Sequence, residues 1–349
     1  MKKRNFLFVA LAGALMATSC STDDADFGAK TGNSKIIPNA SVGFVGSRAI
    51  ESTTANLTDF YAYAYQNGSD NYMNHVLYSK SGTDWGTQEG NFFWPADGTD
   101  LYFVCYAPNV PGQAGEFTIN SNVQQLSDFS PKSLATEQQD FIYCKAAGNK
   151  NNEGGVINLN FKHALSEVTV AAKNENTAYE VKVTGVELGN IKNKATFTFP
   201  TIIISDGTWQ LSTNEQDKEN YTTSWSSAET LGQQASNLGD SNVPFMLIPQ
   251  QLTSETVASN GNYIALKVQI KMAGGAYIMG DAQEGAWVYI PINTNWEMGK
   301  HYAYTLDFSE GAGQKFNGDP VISGSGIKVK VTVTDWAPQD NPTSAKTNV

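Results

Sequence analysis

The sequence contains few of the residues from which most catalytic and metal sites are built. Its 349 residues include 3 His and 3 Cys. His75 and His301 have no second His or Cys at the spacing of a transition-metal site. The chain also lacks a G-x-S-x-G nucleophile elbow and a Gly-rich phosphate loop that ends in Lys-Ser or Lys-Thr. We therefore predict that the protein is not an enzyme and uses no metal or other cofactor.

Positive charge is also scarce. The chain has 23 Lys and Arg against 34 Asp and Glu, which gives a net charge of -11. A surface of this charge repels phosphate backbones, so nucleic acid is excluded as a partner. Because 40% of the residues are hydrophobic and 16% are charged, the composition also excludes a disordered chain and a coiled coil.

The N-terminus has the pattern of a bacterial export signal. Basic residues at positions 2–4 precede an apolar run from Phe6 to Met16, which is too short to span a bilayer comfortably. The small residues that lead to Ser19 and Cys20 resemble a lipobox, in which the chain is cut before the Cys and the thiol is acylated. Ala17 stands where a common lipobox has Leu, so an ordinary signal peptide cut near Ala17 is the alternative.

Residues 1–19 are thus assigned to a lipoprotein signal peptide, and Cys20 to the mature N-terminus. The acidic segment from Ser21 to Asp26 resembles the export tether of bacterial surface lipoproteins, and a solvated linker is the alternative. We assign residues 20–40 to this tether. The expected location is the cell outer membrane, with the protein held by its lipid and exposed at the surface.

Alternation of apolar and polar residues dominates the rest of the chain. It occurs at Ile157–Phe161, at Ile264–Ile270 and, most regularly, near the C-terminus. The apolar residues of that last segment are Ile327, Val329, Val331 and Val333. Since successive side chains of a strand point to opposite faces, the pattern predicts an all-β protein of antiparallel sandwiches with one solvated face.

The length predicts two sandwich domains in tandem. The polar stretch from Lys173 to Thr177 reads as the connection, so we place the N-terminal domain at residues 41–176 and the C-terminal domain at residues 177–336. Residues 337–349 form a polar tail. Cys105 and Cys144 either form a disulfide or are two buried thiols, and their apolar surroundings favour thiols.

Five motifs, in order, resemble those of the fimbrillin family, the major-fimbria type of pilin of Bacteroides and Porphyromonas relatives. They are S-V-G-F-V-G-S-R-A at 41–49, F-F-W-P at 92–95 followed by L-Y-F-V-C-Y-A-P at 101–108, L-N-F-K-H-A-L at 159–165, L-I-P-Q at 247–250 and V-T-D-W at 333–336. The resemblance covers nearly the whole chain. It implies transthyretin-like sandwiches and a structural subunit of a fimbria that supports adhesion.

The resemblance also implies proteolytic maturation and assembly by strand exchange with other fimbrial subunits. A cut after a basic residue releases the first strand, and a C-terminal strand of the next subunit fills the groove. Here the cut is expected between Arg48 and Ala49, and Val42 and Phe44 belong to the displaced strand. The candidate donor strand contains the four alternating residues Ile327, Val329, Val331 and Val333.

Several alternatives stay open on the sequence alone. Arg48 could be an uncut loop residue, and a cut at Lys35 would remove only the linker. The protein could be an anchor or tip adhesin subunit of the fimbria, or a surface glycan-binding lipoprotein. The adhesion target and the protease are not indicated by any motif.

Overall fold

The computed structural model describes residues 34–43, 54–67, 69, 71–108, 114–239, 243–253, 255–257, 260–322 and 326–336. The predicted signal peptide, most of the tether and the C-terminal tail lie outside the described residues. The predicted features at Ser19, Cys20, Phe44, Arg48 and Ala49 lie outside them as well.

The regular secondary structure of the described residues is almost entirely β-strand, which confirms the predicted all-β class. In chain order the strands are β1 Ile37–Val42, β2 Asp59–Tyr65, β3 Asn71–Ser81, β4 Asp84–Gly86, β5 Leu101–Ala107, β6 Ala114–Ile119, β7 Gln124–Ser130, β8 Ile142–Gly148, β9 Val156–His163, β10 Ser166–Lys173, β11 Tyr179–Lys192, β12 Ala195–Thr198, β13 Thr208–Leu211, β14 Lys218–Thr230, β15 Ser236–Asn237, β16 Phe245–Leu247, β17 Tyr263–Met272, β18 Tyr277–Met279, β19 Ala286–Pro291, β20 Lys300–Asp307 and β21 Lys328–Asp335. Two single-turn 3-10 helices span Ala135–Glu137 and Glu153–Gly155. Within the described part of the chain, no helix is long and apolar enough to cross a membrane.

The first large element is a seven-stranded sheet in the order β1-β9-β8-β5-β2-β3-β4. The sheet curves so that its edge strands β1 and β4 approach each other. Strand β5 is buried on both faces: Phe103 and Cys105 belong to the core inside the curve, whereas Val104 and Tyr106 belong to the core on the outer face. This double burial explains the uninterrupted apolar run from Leu101 to Ala107.

A four-stranded sheet, β13-β12-β7-β6, packs against the outer face of the seven-stranded sheet. Its core is aromatic: Phe197 of β12 lies 5.3 Å from Phe141 and 5.0 Å from Trp209 between ring centroids. Strand β12 pairs with β7, so this sheet joins segments on both sides of the predicted boundary at residues 176 and 177. That boundary therefore does not separate the sheets, because the hairpin at 195–211 completes a core built mainly before it.

Two five-stranded sheets enclose the remaining core. One contains β15-β10-β20-β21 with β16 beside β10, and the other contains β14-β11-β17-β18 with β19 beside β17. The alternation of β17 is confirmed, since Ile264, Leu266, Val268 and Ile270 all point into this core. Pairing between the strands named above is antiparallel except for two parallel pairs, β1 with β9 and β10 with β20.

The first described strand begins earlier than the sequence indicates. The predicted displaced strand contains Val42 and Phe44 and follows a tether that ends at residue 40, whereas β1 spans Ile37–Val42. Residues 36–40 of the predicted tether therefore belong to the folded part of the chain, since Ile36 and Ala40 are buried in the core. Pro38 hides the strand in the sequence because proline cannot donate to a ladder, but it is tolerated in an edge strand.

Cys105 and Cys144 are both buried and unbridged. They lie opposite each other on the neighbouring strands β5 and β8. Burial raises the pKa of both thiols, that of Cys144 to about 12, so neither is ionised near neutral pH. The structure thus has the two buried thiols that the apolar surroundings favour.

Candidate functional site

Strand β1 is the edge of the seven-stranded sheet and is the first candidate assembly element. It pairs in parallel with β9, from Ile37 opposite Val156 to Val42 opposite Phe161. The partners are separated by more than 100 positions in sequence, so no local connection holds β1 to β9. Its attachment depends on the ladder and on its side chains.

The side chains of β1 alternate in environment. Ala40 and Val42 point into the core inside the curved sheet, where they lie next to Leu159 and Phe161 of β9. Val42 is 3% exposed and Phe161 is 1% exposed. We call the space that β1 fills beside Ile157, Leu159 and Phe161 the β1 groove.

Polar side chains on the outer face set the register of β1. Asn39 donates from Nδ2 to Oδ1 of Asn158 at 2.8 Å, and the Ser41 hydroxyl donates to Oδ1 of Asn160 at 2.8 Å. At the end of the strand, the amide of Val42 donates to the Thr54 hydroxyl at 2.8 Å. Two side-chain pairs and one contact with Thr54 therefore fix the position of β1, while its apolar side chains fill the groove.

The F-F-W-P motif holds the entry to β1. The amide of Ile36 donates to the Phe92 carbonyl at 2.9 Å, and the amide of Trp94 donates to the Ser34 carbonyl at 3.0 Å. Trp94 is fully buried, and its Nε1 donates to the carbonyl of Gly155 at 3.0 Å. Gly155 has φ +77, and a side chain there would collide with the backbone that leads into β1. The motif is thus a structural clamp on the first strand.

Strand β21 is the second candidate assembly element. It pairs antiparallel with β20 over its full length and, within the described part of the chain, pairs with no strand on its other side. Val331 packs partly against the neighbouring core, whereas Val329 is 40% exposed and Val333 is 50% exposed. The predicted alternation is present, but the opposing sheet covers only part of the apolar face.

The end of β9, the partner strand of β1, and the end of β21 meet in a stack of two rings. His163 is the last residue of β9, and Trp336 directly follows β21. Their rings are stacked, with centroids 4.3 Å apart and planes 9° apart. His163 Nδ1 lies 2.8 Å from Oδ2 of Asp140, so His163 is a hydrogen-bonded packing residue.

Nearby carboxylates and burial shift the pKa of His163 in opposite directions. Burial alone would lower the pKa of His163, but the adjacent Asp140 carboxylate and the nearby Glu167 outweigh it and raise the pKa above its usual value. The folded protein therefore favours the protonated form of the imidazole more than the unfolded chain does. The imidazole lies flat on the Trp336 ring, an arrangement that suits a cation.

The sequence locates part of this site. It indicates Val42 and the alternating C-terminal strand. It gives no signal for Asp140 or Thr54, because their partners are set by the folded chain and not by spacing. Among the described residues, no group of three or more His, Cys, Asp or Glu side chains is placed to hold a metal ion.

Comparison with known proteins agrees with this fold. A family model described as fimbrillin-like matches residues 47–336. No curated protein has a sequence that matches the chain significantly. A fimbrial protein from Bacteroides vulgatus has a similar structure, with a TM-score of 0.60, 16% identity and coverage of 87% of this chain and 100% of that one.

A second similar structure is a candidate cell adhesion protein from Bacteroides uniformis. Its TM-score is 0.52 and its identity 15%, with coverage of 87% of this chain and 99% of that one. At these identities the likeness is one of fold.

Proposed function

The chain belongs to the fimbrillin-like family, and from this premise we propose that it is a structural subunit of a surface fimbria that polymerises by strand exchange. The observation that carries the proposal is β1. It is an edge strand that fills an apolar groove and precedes Arg48 in the chain. Loss of such a strand leaves an open sheet edge, which is a template for another strand.

The first step of the proposed route is lipidation. Acylation of Cys20 after the cut behind Ser19 would hold the precursor at the outer membrane, since two or three acyl chains anchor a protein stably. The precursor would then present its folded sheets at the cell surface.

The second step is a cut between Arg48 and Ala49. Both residues lie in the segment between Gly43, where the β1 ladder ends, and Thr54, whose hydroxyl accepts from the amide of Val42. After this cut, β1 and the lipid would be joined to the rest of the protein only by non-covalent contacts. Departure of β1 would release the subunit from the membrane and open the β1 groove.

The third step is replacement of β1. Loss of β1 uncovers the apolar side of β9, and burial of one Val or Ile side chain contributes about 1.5–3 kcal/mol. An incoming strand with apolar residues at every second position would restore that burial and the ladder hydrogen bonds, which contribute about 0.5–1.5 kcal/mol each. The exchange therefore needs no external energy source.

We propose β21 of the next subunit as the incoming strand. Its residues Val329, Val331 and Val333, together with Ile327 directly before the strand, have the same two-residue spacing as the buried positions of β1. Val329 and Val333 are only partly covered in the monomer, so insertion into a groove would bury apolar surface that is now in water. Each added subunit would repeat an open head-to-tail contact, which produces a filament.

Electron microscopy of protease-treated protein tests this function. Wild-type protein treated with a trypsin-like protease should begin at Ala49, lose its lipid and form filaments. Arg48→Ala should stay uncut, monomeric and membrane-bound, and Cys20→Ser should take up no fatty-acid analogue. Filaments of Arg48→Ala as abundant as those of the wild type would contradict the proposed maturation. Cut protein that caps filaments without extending them would indicate an anchor or tip subunit.

A further inference from the structure

A cleft opens at one end of the sandwich between the seven-stranded and four-stranded sheets. Its volume is about 570 Å³, which lies in the range of small-molecule sites. The strands β2, β5, β7, β8 and β12 contribute to its lining, whereas β1 and β21 do not. The described lining residues belong to one chain, so the monomer holds this cleft before any assembly.

The inner positions of the sandwich change from apolar to polar toward this cleft. On β8, Tyr143 is buried in the core and Lys145, two residues on, lines the cleft. On β7, Leu126 is buried and Gln124 lines the cleft. Because residues two apart share a face, a simple continuation of the core would place apolar side chains at both positions. The inner faces of both sheets are therefore polar where they border the cleft.

Hydrogen bonds hold the polar groups in place. Lys145 Nζ donates to Oε1 of Gln124 at 2.7 Å, and Nε2 of Gln124 donates to the Tyr65 hydroxyl at 2.6 Å. Nε2 of Gln124 also donates to the Asn120 carbonyl at 3.1 Å. The side-chain amide of Gln124 is thus hydrogen-bonded through both its nitrogen and its oxygen. Its oxygen orients the ammonium group of Lys145.

Lys145 has no carboxylate within ion-pair distance among the residues that the structure describes. Burial lowers its pKa, because the charged form has lost part of its water. None of the described lining residues is acidic. An anion that entered the cleft would meet one partly desolvated cation and no carboxylate among the described lining residues, in a protein whose net charge is -11.

The other lining groups suit a polyhydroxylated ring. Tyr102 is partly exposed and stacks on Tyr65, with centroids 6.0 Å apart and planes 21° apart. Val123 and Ile202 lie at the rim and are 39% and 57% exposed. Side-chain amides and hydroxyls complete the lining: Asn67, Ser121, Asn122, Gln125, Thr198 and Thr201. A sugar ring has an apolar C–H face for the aromatic ring and hydroxyls for the amides.

We propose that this cleft binds a carboxylate-bearing saccharide, with the carboxylate paired to Lys145 and the ring packed against Tyr102. A neutral sugar would leave the Lys145 charge unpaired, and a small acid without a ring would leave the Tyr102 face uncovered. The proposal goes beyond assembly, since it gives the subunit a ligand of its own.

Isothermal titration calorimetry of the purified monomer tests this site. The probes are 3′-sialyllactose and digalacturonic acid, which carry their carboxylates on different sugars, with lactose and sodium acetate as the neutral and ring-free controls. At least one acidic saccharide should bind at least about tenfold more tightly than either control, because a charge-assisted contact is added to the sugar contacts. The probe that binds identifies the source of the carboxylate.

Substitution then assigns the site. Lys145→Gln should weaken binding of that saccharide about tenfold or more. Lys315→Gln removes the same charge from an exposed position outside the cleft and should leave binding unchanged. Wild-type protein gives an independent readout, since raising the salt from about 0.05 M to about 0.5 M should weaken acidic binding and not lactose binding.

Three results would overturn the proposal. They are no binding of either acidic saccharide, equal affinity in Lys145→Gln and the wild type, and affinity for acetate or lactose that matches the acidic saccharides. Because the salt titration needs no substitution, it decides the question even where Lys145→Gln does not fold. None of these results bears on filament formation, so the two proposals fail separately.

Discussion

Strands β1 and β21 are both sheet edges with apolar residues at every second position, yet their apolar side chains lie in opposite environments. Val42 of β1 is 3% exposed, whereas Val333 of β21 is 50% exposed. Alternation alone does not distinguish them. The difference arises because the curved seven-stranded sheet closes over β1, while the opposing sheet does not extend over all of β21.

This difference indicates which strand gains from exchange. Strand β1 already buries its apolar side, so its groove needs a replacement once it leaves. Strand β21 retains partly solvated valines, so it gains burial when another surface covers it. In the proposed account, one subunit supplies the groove and the next supplies the strand.

The largest expected effect lies in the floor of the β1 groove. Phe161→Ala should lower the free energy of unfolding by about 3–5 kcal/mol, because it leaves a cavity in a closed core. Lys162→Ala is the matched control on the opposite face; its exposed ion pair with Asp206 should contribute less than about 1 kcal/mol. Urea denaturation of the uncut protein measures both. Equal midpoints would mean that β9 does not face the core as described.

The next largest effect is the difference in stability between Val→Ala substitutions in β1 and in β21. In the uncut monomer, Val42→Ala should destabilise by about 1–2 kcal/mol, since two buried methyl groups are lost. Val333→Ala should change stability by less than about 0.5 kcal/mol, because half of its surface is already solvated. The same urea experiment separates them, and the reverse order would contradict the assignment of the buried and exposed edges.

In filaments, Val333→Ala should destabilise more than Val42→Ala, the reverse of their order in the monomer. Val42 would no longer be part of the cut subunit, so Val42→Ala filaments should dissociate at the wild-type temperature. Val333→Ala filaments should dissociate at a lower temperature, because Val333 would now lie in a groove. Heating followed by electrophoresis of the released subunits measures the change. If filaments of the two variants dissociated at the same temperature, β21 would not be the donor strand.

The smallest expected effect is the pH dependence of the contact between His163 and Asp140. Since folding raises the pKa of His163, the pair stabilises the protein below the unfolded pKa of about 6.5, and that stability is lost as pH rises through the folded value. His163→Gln should therefore destabilise more at pH 6 than at pH 8.5. Thermal unfolding at the two pH values measures this gap, and Asp140→Asn should reduce it. A gap that widens at pH 8.5 would contradict the assignment.

The sequence predicts the local structure of this fold well and its long-range pairing poorly. Alternation correctly places Leu159 and Phe161 inside the sheet, and both are 1% exposed. It does not predict that β1 pairs in parallel with β9, because that contact joins segments more than 100 residues apart. The same limit applies to the 195–211 hairpin, whose aromatic residues indicate a strand but not the sheet that it completes.

The residues of the candidate assembly site likewise divide into those that the sequence indicates and those that only the folded chain brings together. Val42 is indicated by the resemblance to the family's first strand, and the C-terminal valines are predicted from alternation. Asp140, Thr54 and Gly155 are defined by contacts across the fold, and no spacing in the sequence points to them. The cleft at Lys145 was also not predicted, since its lining comes from five strands that are scattered along the chain.

The central claim is that β21 of one subunit takes the place of β1 in the next. Asn158 lies on the exposed face of β9, opposite Asn39 of β1. Asn158→Cys, combined in turn with Lys328→Cys, Lys330→Cys or Thr332→Cys, places thiols on the outer faces of both strands. Oxidation of assembled filaments should then link neighbouring subunits into a ladder of multimers on a denaturing gel, because a disulfide requires Cα atoms within about 7 Å. The pair with Lys315→Cys should give none, and filaments in which no β21 position forms a link would contradict the claim.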